Sequence, residues 1–282
     1  MHSNAGAPDG SAAPAPRLAC FSAGPAPETT AVSTDELTLD AITADFRIYQ
    51  RRRGHRFSLD DLATAWEAAQ CIDAPQHCVD LGCGIGSVLL MLCWRFPRAS
   101  MVGIEALPMS FALARRNVSH NGLHQRVTLL AGDLRDITQR WSLPRAQLVT
   151  GTPPYLPEGT ALASPDPQRA AARIEYRGGV EAYLQAAARV LAPCGRVVVC
   201  AGGGDAQRVV RGADSAGLAL LRRRDVYART GQKKPLFGVW TLAWPSDVTA
   251  ALEQVTLVAR DATGARSVQA RALRQAFGLD DG

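Results

Sequence analysis

Thr152-Pro153-Pro154-Tyr155, placed directly after an apolar run that ends at Val149, combines residue types suited to holding a planar amine still. An exocyclic amine conjugated to a ring is a poor nucleophile, because its lone pair is delocalised. To react, both of its hydrogens must be held by acceptors that turn the lone pair toward an electrophile. Thr152 offers a hydroxyl acceptor, and the carbonyl of Pro153 offers a second. Two prolines stiffen the turn, so the acceptors are set in place before the reaction. Tyr155 then presents a face for a ring, with stacking worth roughly 1–3 kcal/mol. A rigid strand-end turn with a core tyrosine has the same four residues, so the tetrapeptide alone leaves both readings open.

Upstream lies a glycine-rich turn, Asp80-Leu81-Gly82-Cys83-Gly84-Ile85-Gly86. Such glycines let a strand end turn tightly into a helix and let backbone approach a ligand. The third glycine comes one residue early for G-x-G-x-x-G, where Ser87 takes the needed place. The spacing therefore departs from the dinucleotide fingerprint, although a plain strand-to-helix turn would read alike. Glu105 closes the next apolar run, at the position where nucleotide-binding folds set a carboxylate against a ribose diol. Asp133 closes the one after. It either contacts a ligand or caps the following helix, and the two are indistinguishable in sequence.

Two basic clusters stand apart from these motifs. Gln50-Arg51-Arg52-Arg53-Gly54-His55-Arg56-Phe57-Ser58-Leu59-Asp60 leads into a helix with Ser58 as N-cap candidate. It reads as a phosphate contact and one wall of a pocket, or as a solvated loop. Arg222-Arg223-Arg224, with Arg229, Lys233 and Lys234, could hold a nucleic-acid backbone or simply face water.

The elements that must position these residues alternate short β-branched runs with helical patterns, which specifies a parallel sheet with crossover helices. Strands are expected over 78–81, 101–105, 127–130, 147–150 and 196–200. Helices fit over 86–96, 108–121, 133–140 and 180–191. Beyond Cys200, a helix over 206–216 precedes runs at 218–227 and 236–244, read as an antiparallel hairpin closing the sheet edge. Residues 254–260 and 267–277 form a last strand and helix. Residues 1–33, rich in Ala, Pro, Gly and Ser, are expected to be a disordered tail, and residues 34–282 one domain.

The 282-residue chain carries a net charge of +5, almost all of it arginine, since Lys233 and Lys234 are the only lysines. That bias reflects either a GC-rich coding sequence or a surface that attracts phosphate. No apolar run approaches the roughly 20 residues of a membrane span, and a cytoplasmic protein is expected. Seven cysteines, at 20, 71, 78, 83, 93, 194 and 200, form no C-x-x-C pair and have no histidine at ligand spacing. They read as reduced core residues, with neither zinc nor a disulfide framework.

Taken together, these residues resemble an α/β, Rossmann-like class I methyltransferase with a seven-stranded, mostly parallel sheet and a C-terminal antiparallel hairpin. Within that class the chain resembles the bacterial tRNA(Val) adenine-N6 methyltransferases. The likeness runs from Leu39-Asp40-Ala41 and Ile48-Tyr49-Gln50 through the glycine turn, Glu105, Asn117, Asn121 and Asp133. It continues to Ala172-Arg173-Ile174-Glu175 and Asp261-Ala262-Thr263-Gly264. The resemblance implies S-adenosylmethionine held by Asp80, Gly82, Gly84, Gly86, Glu105 and Asp133, with Phe57 in a segment packed over the site. It implies Thr152, Pro153 and Tyr155 at the reacting amine, a tRNA substrate on Arg52, Arg53, Arg56, Lys233 and Lys234, and no metal. The family carries Asn at the position of Thr152 and His at that of Ile174. Rival readings are a release-factor glutamine methyltransferase, a small-molecule methyltransferase, and a degenerate fold that only binds RNA or S-adenosylmethionine.

Overall fold

The computed structural model describes residues 37–279, so the tail expected over 1–33 lies outside the described residues. A two-stranded antiparallel hairpin, β1 (Leu37–Ala41) and β2 (Arg47–Arg51), precedes helix α1 (Leu59–Cys71). Then come β3 (His77–Leu81), α2 (Ser87–Arg95), β4 (Ser100–Glu105), α3 (Pro108–His120) and β5 (Val127–Ala131). A 3-10 turn at Leu134–Asp136 leads into the short α4 (Ile137–Arg140), followed by β6 (Ala146–Gly151), α5 (Pro167–Ala171), α6 (Val180–Val190) and β7 (Leu191–Gly202). The chain closes with α7 (Ala206–Ala216), β8 (Ala219–Arg229), β9 (Phe237–Ala243), β10 (Glu253–Arg260) and α8 (Val268–Gln275).

The main sheet has eight strands in the order β10-β8-β9-β7-β6-β3-β4-β5. Strands β7, β6, β3, β4 and β5 are mutually parallel, and β9 is antiparallel to both of its neighbours. This corrects the seven-stranded expectation. The hairpin does not close the edge, because β10 adds parallel to β8 outside it. The 254–260 run was legible as a strand, but nothing in its own residues says which neighbour it joins.

Chain order reverses on either side of β3, which makes its carboxyl end a topological switch point where ligands bind in open α/β sheets. There Leu81 is in register with Gly151 on one side and Ile104 on the other. The glycine turn and the Thr152 turn therefore leave the sheet side by side. Each face of the sheet is covered by a separate apolar layer. One involves α1, α2, α3 and α8, with Leu89, Met91, Leu113 and Phe277 buried; the other involves α6 and α7, with Tyr183, Leu184 and Val209 buried. Helix α6 shows why: Val180, Tyr183, Leu184, Ala187 and Val190 recur at helical spacing and are buried as one stripe.

The N-terminal hairpin, absent from the sequence expectation, is held by two asparagines one turn apart, Asn117 on α3 and Asn121 at its C-cap. The Asn117 side chain accepts from Tyr49 N at 2.7 Å and donates to Tyr49 O at 3.1 Å and Ile85 O at 2.9 Å. Asn121 accepts from Arg47 N at 2.9 Å and donates to Arg47 O at 2.8 Å. Residues i and i+4 of a helix are spaced much like i and i+2 of a strand, so two amides serve as a missing neighbour strand. The resulting clamp ties β2 to the glycine turn through Ile85.

The Arg222-Arg223-Arg224 run is engaged in contacts within the fold. Arg224 and Arg222 pair at 2.8 and 3.2 Å with Glu67, a fully buried carboxylate of α1, and Arg222 also pairs with Glu253. Arg224 lies over the Trp66 ring, and Arg223 pairs with Asp225 and covers Trp240. Arg222 and Arg224 thus fasten α1 to the sheet, while Arg223 links β8 to β9. Six described cysteines are free thiols, and four of them, Cys78, Cys83, Cys93 and Cys200, are buried in the core. Among the described residues no His/Cys/Asp/Glu group is placed to hold a metal, and no helix is long and apolar enough to cross a membrane.

Candidate active site

Two clefts meet at the switch point. The first encloses about 900 Å³ of space, part of it open to solvent, between the glycine turn, Glu105–Leu107, Gly132–Leu134 and the 171–178 segment. The second, about 1350 Å³ and more open, lies between the 52–61 segment, Thr152–Leu156 and Arg169–Arg173. His55, Asp61, Thr152 and Ala172 line both.

In the first cleft the turn is shaped by left-handed backbone at Gly82 (φ 59°), Gly84 (φ 57°) and Gly86 (φ 91°). A Cβ on Gly84 would meet nothing within 4 Å, whereas one on Gly82 would strike the Tyr183 hydroxyl at 2.2 Å. Gly84 thus opens its backbone to the cleft, while Gly82 makes room for Tyr183. Glu105 accepts from Gly84 N at 2.9 Å and Leu107 N at 2.6 Å, and burial holds its carboxyl above the ordinary value. A carboxylate has about four lone-pair positions, so acceptor capacity remains for a diol.

Asp133 caps the 3-10 turn through Arg135 N at 2.9 Å and takes the Arg135 guanidinium on both oxygens. Burial raises its pKa, but Arg135 more than offsets that and keeps the carboxyl below its usual range. The capping reading of Asp133 is therefore realised, and the residue still lines the cleft. Asp80 does not reach the cleft lining; it is buried beneath the turn, accepting from the Thr150 hydroxyl at 2.7 Å. Burial pushes it up to about 7.

On the other side, Tyr155 is fixed by its hydroxyl, which donates to Asp60 and lies 3.0 Å from both Asp60 Oδ2 and Cys200 Sγ, and the residue lines the second cleft. The Pro153 carbonyl receives no hydrogen bond among the described residues. Asp61, 7% exposed, accepts from Ser58 N at 3.0 Å through one oxygen. Its pKa is raised well above normal by burial and by the neighbouring charge of Asp60. The Ser58 N–H and the Thr152 hydroxyl oppose that rise. Burial and Arg169 lower the pKa of His55, which favours a neutral imidazole beside this pair.

Gln168, almost wholly buried, stitches the acceptor side together. Its Oε1 accepts from His55 N at 3.2 Å, and its Nε2 lies 3.3 Å from Ser110 Oγ on α3. Asp166 adds an ion pair to Arg51 at 2.6 Å. Ile174 is buried and bridges Leu156, and Glu175 is gripped by Arg208.

The sequence-expected residues thus divide. Gly82, Gly84, Glu105, Asp133 and Thr152 line the first cleft, and Thr152, Pro153, Tyr155, Arg52, Arg53 and Arg56 the second. Gly86 lies behind, as the N-cap of α2. Phe57 lines neither and faces a separate groove with Leu236 and Ala259. Arg56 is compensated by Asp40 at 2.9 Å. Lys233 and Lys234 are exposed on the β8–β9 loop and line neither cleft. Sequence reasoning missed Asp61, which looks like the second of two acidic residues suited to any first helical turn. It also missed Arg177, whose charge acts on both Glu105 and Asp133.

Residues 78–150 match the family model of a methyltransferase domain. A tRNA1(Val) (adenine(37)-N6)-methyltransferase of Porphyromonas gingivalis is 35% identical over 44% of this chain and 49% of its own. A release factor glutamine methyltransferase of Geobacter sulfurreducens is 32% identical over 47% of this chain and 47% of its own. The chain spans about half the length of these curated relatives. Among solved structures, a predicted O-methyltransferase from Agrobacterium tumefaciens matches with a TM-score of 0.58 at 16% identity, over 79% of this chain and 98% of that one, a likeness of fold.

Proposed function

We propose that this chain, whose core is a class I methyltransferase domain with S-adenosylmethionine as methyl donor, methylates an exocyclic amine, the N6 of an adenine in tRNA. The residues fit the donor. Gly84 leaves open backbone where a side chain would intrude, and Glu105 keeps acceptor capacity for ribose hydroxyls. Asp133 and Leu134 wall the adenine side. When bound, the donor supplies an electrophilic methyl carbon on a sulfonium sulfur.

The observation that carries the reading is that the Thr152 turn is the wall shared by this cleft and the larger one. An amine entering from the second cleft meets the Pro153 carbonyl, which has no other donor, and a base beside it lies against the Tyr155 ring. The amine lone pair forms the new C–N bond as the C–S bond breaks, its electrons going to sulfur. The amine proton leaves afterwards. RNA is favoured by the rim: Arg52, Arg53, Arg169 and Arg173 are exposed there and make no ion pair among the described residues.

The test is methyl transfer from labelled S-adenosylmethionine to total RNA from a strain lacking the gene, followed by nucleoside analysis. Labelled N6-methyladenosine in tRNA is expected. Label confined to a protein glutamine would replace this reading with the second one, which the glutamine-methylating relative favours and which needs the same amine geometry.

A further inference from the structure

Thr152 stands where the family it resembles has Asn. A threonine hydroxyl is shorter than an amide, so the strand end reaches less far toward an incoming amine. What the structure places beside it is a carboxylate from elsewhere in the chain. Asp61, on the first turn of α1, is grouped with Thr152 at the junction of the two clefts and lines both. One of its oxygens is occupied by Ser58 N, and Thr152 lines the same two clefts. Pro153, the next residue of the turn, lines the second cleft.

We infer that Asp61 is the side-chain acceptor for the target amine in this protein, with the Thr152 hydroxyl orienting its carboxylate and the Pro153 carbonyl taking the second amine hydrogen. The inference rests on the amine-methylating reading above and names the acceptor for it. An ionised carboxylate accepts more strongly than a neutral amide. It also offers the departing proton a place to go: as the C–N bond forms, nitrogen turns cationic, and the N–H already held by Asp61 passes to its oxygen. The product amine is left neutral, and the thioether sulfur keeps the electron pair of the broken bond.

The bland alternative is that Asp61 only caps α1. It predicts different behaviour. Ser58→Ala removes the hydroxyl half of the capping box and leaves the Ser58 N–H on the Asp61 carboxylate, so it should lower the melting temperature and leave kcat unchanged. Asp61→Ala should lower kcat about 100-fold with S-adenosylmethionine affinity unchanged. Asp61→Asn keeps an acceptor oxygen and should stay within about tenfold of wild type.

The pH profile separates the roles further. With an ionised Asp61 required and burial raising its pKa, wild-type kcat falls as pH drops through a limb lying above the ordinary carboxylate range, and Asp61→Asn should lose that limb. Asp60 on the same helix, His55 in the preceding loop, Asp80 on β3 and Cys200 on β7 also face this region. A limb that persists in Asp61→Asn belongs to one of those groups and overturns the assignment. Restoring an amide at the strand end, in Asp61→Ala with Thr152→Asn, should regain at least about tenfold over Asp61→Ala alone.

The assays use labelled S-adenosylmethionine with tRNA transcripts and, in parallel, with a protein extract. Wild-type label on adenine together with full kcat in Asp61→Ala overturns the inference and spares the adenine reading. Label on glutamine overturns the adenine reading, and the same variants then test Asp61 on that acceptor. Label on neither acceptor, with folded protein that binds the donor, overturns both.

Discussion

On the cofactor side, Gly82–Gly86, Glu105 and Asp133 follow three strands, β3, β4 and β5, that are neighbours in both chain and sheet. On the acceptor side, His55, Asp61, Thr152, Gln168 and Arg173 come from three stretches that meet only after the sheet and α1 have packed. One half is built by strand register. The other depends on side-chain stitching, through Gln168, Asp166 with Arg51, and Tyr155 with Asp60. The first half should therefore tolerate little change in backbone shape. The second should tolerate backbone change poorly only where those stitches run.

The sharpest way to break that division is Gly84→Val. Its Cβ would meet no protein atom within 4 Å, and the side chain would fill the space over the turn. Donor affinity should fall by at least about 1000-fold, roughly 4 kcal/mol, with only ~1–2 kcal/mol of backbone strain. Isothermal titration and a thermal melt measure the two terms. Retained donor affinity would mean the cofactor lies elsewhere.

Next in size is Arg224→Ala, which leaves the buried Glu67 short of one partner. It should cost roughly 3 kcal/mol in a denaturant titration while leaving the salt dependence of RNA binding as in wild type. Arg52→Ala with Arg53→Ala should do the reverse. Stability should hold, RNA affinity should drop about tenfold, and the slope of log K against log salt should flatten by about 2. If the two arginine groups behaved alike, their assignment to fold and to substrate would collapse.

The smallest expected effect concerns Asp80 under the glycine turn. Its pKa is raised by burial from 3.8 to about 7, so the folded state prefers the proton. That contribution to stability is complete below the ordinary carboxylate value and is lost as pH rises through about 7. Asp80→Asn removes the dependence and should gain roughly 1 kcal/mol on wild type between about pH 5 and pH 6. Parallel stability curves for the two proteins would contradict the burial account.

The cofactor half was legible because each strand end is local: a β-branched run, then glycine or a carboxylate, as at Leu81-Gly82 and Ile104-Glu105. Helix α7 was expected at 206–216, where it occurs, because its apolar residues keep helical spacing. The acceptor half was legible at Thr152-Pro153-Pro154-Tyr155 and in the basic run around Arg52, Arg53 and Arg56, which line the second cleft. Asp61 shows no signal in its own neighbourhood, since an acid in a first helical turn needs no other reason to be there. Arg222-Arg223-Arg224 misled for a related reason: its partner Glu67 lies far away in sequence, inside a helix that reads as apolar. Phe57 was placed over the cofactor by the segment around it, but the capped start of α1 turns it into the groove beside Leu236.

The most direct test of the account is a crystal structure of the protein with S-adenosylhomocysteine bound. The account predicts the ribose against Glu105, the glycine turn beneath the ligand, and the sulfur directed at the junction of Asp61 and Thr152. A ligand bound outside this cleft, or with its sulfur directed away from that junction, would contradict it.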